Sequence, residues 1–538
     1  MRTVFSAFVF GPAIAAAFGC GSRSPDVDAR VRLLDPTAVD DHVVFVDSGR
    51  SEARLLDVSG SSAPAAPVVV PIVKNATTTE LRKNHTGELL VLCAGQPDTS
   101  KDVAPEDPGL VVLRADGTSR TYRYDSPFDK MVQSDDGRYV FLFFGPDGDG
   151  GSSLRNPNEV AIIDLDQKDG KPTLKTLRSL GQTPQGVVFS PGPMSINGAD
   201  RNLAVVLLDR DVALIDLTHL DRSEITVELT NRTAAAVDVS QVLFSADETP
   251  PKIYLRADGS DDVFVMSIKD ALPAGGGDGG GGENDFLPSF NQVGAGAGAN
   301  PSDIQLFDDG TDKRLLVAAR GNGTAVIVNP DSTVATSVTL PAPASRILLY
   351  NGPKPSDPTP AERALLYDPG SSSVTFLDLE AFGTEQNRNG KAELLGVPEP
   401  YVKLVPLTAD KAMLLHQSTG LSLVNLADRT LSPITGPNVS NAVADLEVGK
   451  LWLTPPGDRL GFLDLSNYHP NEVRLDATIE HFVRVPSAQK QALPRAVVTH
   501  PNPLGYMTVI DASDPANLGN AFAVSGYLFE GVLGGGAQ

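Results

Sequence analysis

An all-β fold, closed as one large β-propeller, is expected for this 538-residue chain from three observations. Short apolar hexads recur from residue 43 to residue 507, one about every 52 residues. Turns rich in Asp and Gly stand between them, each followed by another apolar strand. Helical patterning is missing, because no window of 12 or more residues repeats its apolar side chains with a 3.6-residue period. Four short strands in each unit of ~50 residues is the arrangement of a propeller blade. A solenoid of helices is excluded, and so is a doubly wound α/β sheet, which needs a helix after each strand.

The hexads are VVFVDS (43–48), LVVLRA (110–115), VAIIDL (160–165), VALIDL (212–217), VFVMSI (263–268), AVIVNP (325–330), VTFLDL (374–379), LSLVNL (421–426), LGFLDL (460–465) and MTVIDA (507–512). They are rich in β-branched residues and are followed by turn formers, so each reads as a buried strand. Eight carry Asp or Asn in fifth place: Asp47, Asp164, Asp216, Asn329, Asp378, Asn425, Asp464 and Asp511. A short Asx side chain at a strand end bonds the backbone two residues on and starts the next turn. These eight are therefore given a structural task rather than a catalytic one.

The intervening turn-and-strand element is clearest in SDDGRYVFLFF (134–144), FSADETPPKIYLRA (244–257), FDDGTDKRLLVAA (307–319) and LTADKAMLLHQ (407–417). FSPGPMSINGADRNLAVVLLD (189–209) is the same element with an enlarged turn. Weaker strands such as TLKTLRSL (173–180) and ITVELT (225–230) complete the units on the outside. Propellers usually have four to eight blades. The expectation is thus a ring of about eight four-stranded blades, with seven and nine as the neighbouring counts and the surplus units serving as extra hairpins. Because a propeller must close, the strands near 43–58 are expected to complete the last blade, 506–530, or to pack next to it.

Composition narrows the function classes. Asp plus Glu number 67 against 44 Lys plus Arg, a net charge of -23, which argues against a nucleic-acid partner. With 41% hydrophobic and 21% charged residues the chain can bury a large core. Two cysteines cannot build a disulfide scaffold or a four-thiolate zinc site. Of these, Cys93 lies in the apolar run LLVLCAG (89–95), with no base nearby in sequence to activate it, and reads as a buried small hydrophobe.

The N-terminus, MRTVFSAFVFGPAIAAAFGC (1–20), has a positive Arg2 and an uncharged, mostly apolar stretch from Val4 to Phe18. That stretch is short for a membrane span of about 20 residues and suits the apolar region of an export signal. Small residues Ala15, Ala16, Ala17 and Gly19 precede Cys20, which resembles a bacterial lipoprotein signal and makes Cys20 the expected lipidated residue. The pattern departs from that signal at Ala17, where Leu is usual, and at the bulky Phe18; cleavage after Ala17 without lipidation and an uncleaved anchor are the alternatives. The polar segment 21–39 is expected to be a tether, 40–533 the propeller, and 534–538 a frayed tail. Two stretches are expected to be loops: the Gly-rich insertion 273–300, with an apolar DFLPSF (285–290) inside it, and the Pro-rich connection 351–363.

Chemistry-bearing patterns are sparse. The seven histidines, His42, His85, His219, His416, His469, His481 and His500, have no metal-ligand spacing and read as solvated or turn residues. Asp147 and Asp149 alternate in a Gly-rich loop, PDGDGGSSLRNPNE (146–159), where oxygens can point at a calcium ion. An EF-hand would need an acidic twelfth residue, and Asn158 stands there, so a plain polar hairpin loop is the preferred reading and no cofactor is expected. There is no G-x-S-x-G elbow. The five Asn-x-Ser/Thr sequons, at Asn75, Asn84, Asn231, Asn322 and Asn438, are read as chance matches.

The SxDG-type turns and the hexads ending in Asp resemble the YVTN-type and WD-like β-propeller repeats of bacterial surface and periplasmic proteins, over about residues 40–530. The Trp-Asp dipeptide of WD repeats is missing, and the single Trp, Trp452, lies in an ordinary strand, KLWLT (450–454). The resemblance implies a monomeric propeller at the cell envelope that binds a protein or glycan without catalysis. A hydrolase or lactonase with its site at the central channel, and a structural part of an envelope assembly, are the alternatives.

Overall fold

The computed structural model describes residues 31–528 apart from 63–65, 98–103, 147–155, 168–169, 179–182, 271–285, 310–311, 356, 380–391, 419, 437–438, 440, 455 and 488–492. Ten four-stranded antiparallel sheets follow one another along the chain. They span residues 37–71, 76–123, 130–176, 186–228, 238–294, 301–339, 346–396, 401–434, 441–474 and 481–525, and are numbered here blades 1 to 10. Each blade takes its strands in chain order, so no strand is exchanged between blades; in blade 4 a small hairpin, Met194–Ile196 with Ala199–Arg201, occupies the enlarged turn. The fold is a β-propeller, as the hexads predict, but with ten blades rather than eight.

The hexads explain the correction. Nine of them are the third strand of a blade, from Gly109–Arg114 in blade 2 to Tyr506–Asp511 in blade 10. The first, 43–48, lies in the second strand of blade 1, His42–Asp47. Ten hexads are therefore ten blades, and none is a spare hairpin. The strands near 43–58 belong to a complete blade of their own, which packs beside blade 10 instead of completing it. That blade begins at Thr37–Val39, on the tether side of the boundary at residue 40, and Leu33 forms a further bridge to Asp47.

Continuous apolar strands form because both faces of every blade are covered. Ten clusters of buried apolar side chains run round the ring, each shared by two neighbouring blades. Middle strands are accordingly buried throughout, as in Tyr139–Phe143, where a solvated sheet would show alternation. Outer strands such as Thr173–Thr176 and Ile225–Glu228 have open edges and alternate between half-buried and exposed.

Two loop expectations change. Phe286–Gly294, inside the Gly-rich stretch, is the outer strand of blade 5, and Phe286 is fully buried against the blade 4–blade 5 core. Within 351–363, the strands Arg346–Lys354 and Asp357–Tyr367 pair as a long hairpin.

Blades 10 and 1 have no chain connection between them. Their seam buries Val43, Phe45, Leu56 and Val58 against Val483, Val497, Val509 and Tyr527. The Phe45 and Tyr527 rings lie 4.5 Å apart. Arginines span the same seam: Arg50 Nη1 donates to the Leu528 carbonyl at 2.6 Å, Arg54 Nη1 to that of Tyr527 at 3.2 Å, and Arg495 Nη2 to that of Gly60 at 2.6 Å.

Candidate functional site

Strand order gives the ring two rims. One carries the turns between first and second strands and between third and fourth; the other carries the remaining turns and the blade-to-blade connections. The hexad Asx residues end their strands on the first rim. Seven of the eight accept a backbone N–H two residues on, at 2.9–3.1 Å: Asp47 from Gly49, Asp164 from Asp166, Asp216 from Thr218, Asn329 from Asp331, Asn425 from Ala427, Asp464 from Ser466 and Asp511 from Ser513. Only in blade 1, where the hexad is a second strand, does this turn fall on the opposite rim.

Several of these carboxylates also hold a cation from the second strand of the blade or from the residues just before it. Arg138–Asp164 closes at 2.8 Å, Arg201–Asp216 at 3.3 Å, Arg363–Asp378 at 3.3 Å and Lys450–Asp464 at 2.7 Å. The signal for this second task is a Lys or Arg 14 or 15 residues before the Asp in blades 4, 7 and 9, a spacing set by strand register.

Between blades 3 and 4 one such pair borders a cleft of about 390 Å³ on the first rim. Arg138 and Asp164 form one wall, with Gln167 and Lys171 from the turn that follows; Thr218 and Asp221 approach from blade 4. Arg138 is held by two partners, a carboxylate and an aromatic ring. Its Nε and Nη2 donate to both Asp164 oxygens, at 3.2 and 2.8 Å, and its guanidinium lies 4.8 Å from the centre of the Tyr139 ring. The Asp164 hydrogen bond raises the Arg138 pKa further above the ordinary guanidinium value, and burial raises that of Tyr139. Gln167 Nε2 adds a donor to Asp164 Oδ2 at 3.2 Å. A fixed guanidinium, an exposed ammonium, a carboxylate, an amide and a hydroxyl on one concave surface are the equipment for binding a polar molecule with several hydrogen bonds.

The first strands of neighbouring blades approach one another around the axis. Their polar side chains tie blade to blade. Gln133 Nε2 donates to Glu80 Oε2 at 2.8 Å and to the Leu81 carbonyl at 3.1 Å. Gln241 Nε2 donates to Asp303 Oδ1 and the Ile304 carbonyl, both at 2.9 Å, and Asp303 Oδ2 accepts the Ile347 N–H at 2.8 Å. These groups serve the ring. Among the described residues no three His, Cys, Asp or Glu side chains gather as a metal-binding group.

Two histidines depart from the solvated reading. His416 and His500 are buried at the ends of the second strands of blades 8 and 10. Each lies between a carbonyl and a hydroxyl: Glu399 O at 3.3 Å and Ser422 Oγ at 2.7 Å for His416, Thr478 O and Thr508 Oγ1, both at 2.9 Å, for His500. The repetition in two blades marks them as blade-locking groups. Cys93 is fully buried, and burial pushes its thiol pKa up to about 12. In a Cys20→Ala protein a thiol reagent at pH 8 is expected to leave the native fold unlabelled and to label it in full after denaturation; rapid native labelling contradicts this burial. Cys20, Asp147 and Asp149 lie outside the described residues.

No family model and no protein of curated function matches the chain. Solved structures similar to it include the dihydro-heme d1 dehydrogenase NirN in complex with DHE, at 12% identity and a TM-score of 0.40, covering 69% of this chain and 71% of that one. A streptogramin B lyase matches at 9% identity and a TM-score of 0.32, covering 60% and 88%. A eukaryotic initiation factor matches at 10% identity and a TM-score of 0.36, covering 83% and 89%.

Proposed function

We propose that this chain is an exported, lipid-anchored β-propeller that acts as a non-catalytic binding module at the bacterial cell envelope. The observation that carries the binding role is the polar cleft between blades 3 and 4, with Arg138 held in place before any partner arrives. Its mixed donors and acceptors fit the hydroxyls and carboxylates of an envelope glycan, or a polar protein loop. Export and anchoring rest on residues 1–20, with Cys20 as the lipidated residue and the membrane reached through that lipid alone. The module works as a monomer, without nucleic acid.

Two measurements test the reading. Cys20→Ala is expected to move the protein from the membrane fraction to the soluble one; unchanged membrane association sinks the anchor. The soluble Cys20→Ala protein is then applied to an array of envelope glycans and to cross-linking in intact cells. Lys171→Ala and Asp221→Ala are expected to weaken the contact about tenfold or more, the loss of one or two charge-assisted hydrogen bonds, with unchanged melting temperature. Binding that both variants leave intact removes the cleft from the proposal.

A further inference from the structure

We propose that Asp211 and Glu228, at the outer end of blade 4 on the rim opposite the cleft, hold a calcium ion. Asp211 opens the third strand, Asp211–Asp216, and Glu228 closes the fourth, Ile225–Glu228. They are direct partners in the antiparallel register, so both carboxylates project from the same face of the sheet. Like charges in that arrangement repel.

Burial sharpens the conflict. Asp211 is 6% exposed, and its Oδ1 has no hydrogen-bond partner. Burial raises its pKa first, and the charges of Glu228 and Asp209 add to that. The single hydrogen bond opposing the rise comes from its own backbone N–H. The two residues before Asp211, Asp209 and Arg210, line an open cavity of about 540 Å³ together with Ala236 and Asp238.

Other blades resolve the same two positions differently. In blade 5 the equivalent Asp262 faces Gly294 and is neutralised by Arg232 at 2.9 Å. In blade 9 the pair is Arg459 and Arg474, and the carboxylates Glu472 and Asp458 take them. Among the described residues Asp211 has no such counter-ion. A hard cation supplies it, because calcium accepts carboxylates together with water and backbone carbonyls. With only two carboxylates in direct register the affinity belongs to the class of extracellular modules, about 10⁻⁴ to 10⁻³ M.

The test uses the soluble Cys20→Ala protein, stripped with chelator and titrated with calcium chloride at pH 7 by calorimetry and by thermal melting. Calcium is expected to bind in that range and to raise the melting temperature. Asp211→Asn and Glu228→Gln are expected to raise the melting temperature of the stripped protein, by removing the repulsion, and to weaken calcium binding at least tenfold. Three outcomes overturn the proposal. The first is no response of the parent protein up to about 10 mM calcium. The second is a response retained by Asp211→Asn but lost on replacing Asp147 and Asp149, which places the ion in that loop. The third is a calcium-independent stability that climbs as pH falls, meaning that Asp211 keeps a proton instead. The outcome is independent of glycan or protein binding at the cleft.

Discussion

Replacing Tyr527 by Ala is expected to destabilise the protein by about 3 kcal/mol, the cost of emptying a large aromatic site in a packed core, and to loosen both ends of the chain together. Tyr527 is 2% exposed, its ring rests on Phe45, and its carbonyl receives Arg54. Burial raises its phenol pKa, so the ring enters the seam uncharged. Every other blade interface is tethered by a short connection, whereas blades 10 and 1 are held by apolar packing and by arginine side chains that reach main-chain carbonyls across the seam. Gly505 shows how close the fit is: its φ of +83° is one that side chains rarely adopt, and a Cβ there would stand 2.9 Å from the Tyr527 ring. Denaturant unfolding gives the stability change. Hydrogen exchange is expected to speed up in residues 42–58 as well as in 481–525; loss of protection in the last blade alone would show that the seam does not hold blade 1.

Arg363→Met is expected to cost about 3 kcal/mol, the lower end for breaking a buried ion pair. Its guanidinium is fully buried, donating from Nε to the Gly352 carbonyl at 2.8 Å and from Nη1 to Asp378 at 3.3 Å. Arg429 reaches the same carboxylate from blade 8 and also pairs with Glu393 at 2.8 Å. Asp378 thus keeps one partner when Arg363 is lost, which holds the cost at that end of the range. Asp378→Asn leaves two buried guanidiniums short of charge, and is expected to cost at least as much. A double-mutant cycle between the two positions is expected to give a coupling of about 1 kcal/mol or more. Strict additivity would mean that Arg363 and Asp378 do not act as one unit within blade 7.

Much of the fold was legible in the chain. The apolar hexads mark strands because a blade buries both faces, and the Asx residues mark strand ends because their short side chains cap the following turn. Even the blade number was on view, as ten hexads. The preference for rings of eight or fewer set two of them aside, and the structure restores them. Phe286 was less legible, since its apolar segment stands inside a Gly-rich stretch whose composition reads as a loop. The buried histidines were hidden for another reason. A lone His gives no periodic signal, and its partners Glu399 and Thr478 belong to connections 17 and 22 residues earlier.

The candidate sites were the least legible part. Asp164 is visible as a turn former, but its grip on Arg138 depends on strand register. Lys171 and Asp221 belong to different blades, and only the packing of blade 3 on blade 4 brings them to one cleft. Asp211 and Glu228 meet because two strands pair in one register, and no local pattern announces the pairing.

By itself, then, the sequence determined the strands, their turns and the repeating unit, since these follow from local hydrogen bonding and from burial along the chain. The tertiary structure decided how many units close the ring, how its ends meet and which polar groups face one another. Ring size follows from the angle at which each sheet packs on the next, and that angle is set by side chains from two blades acting together.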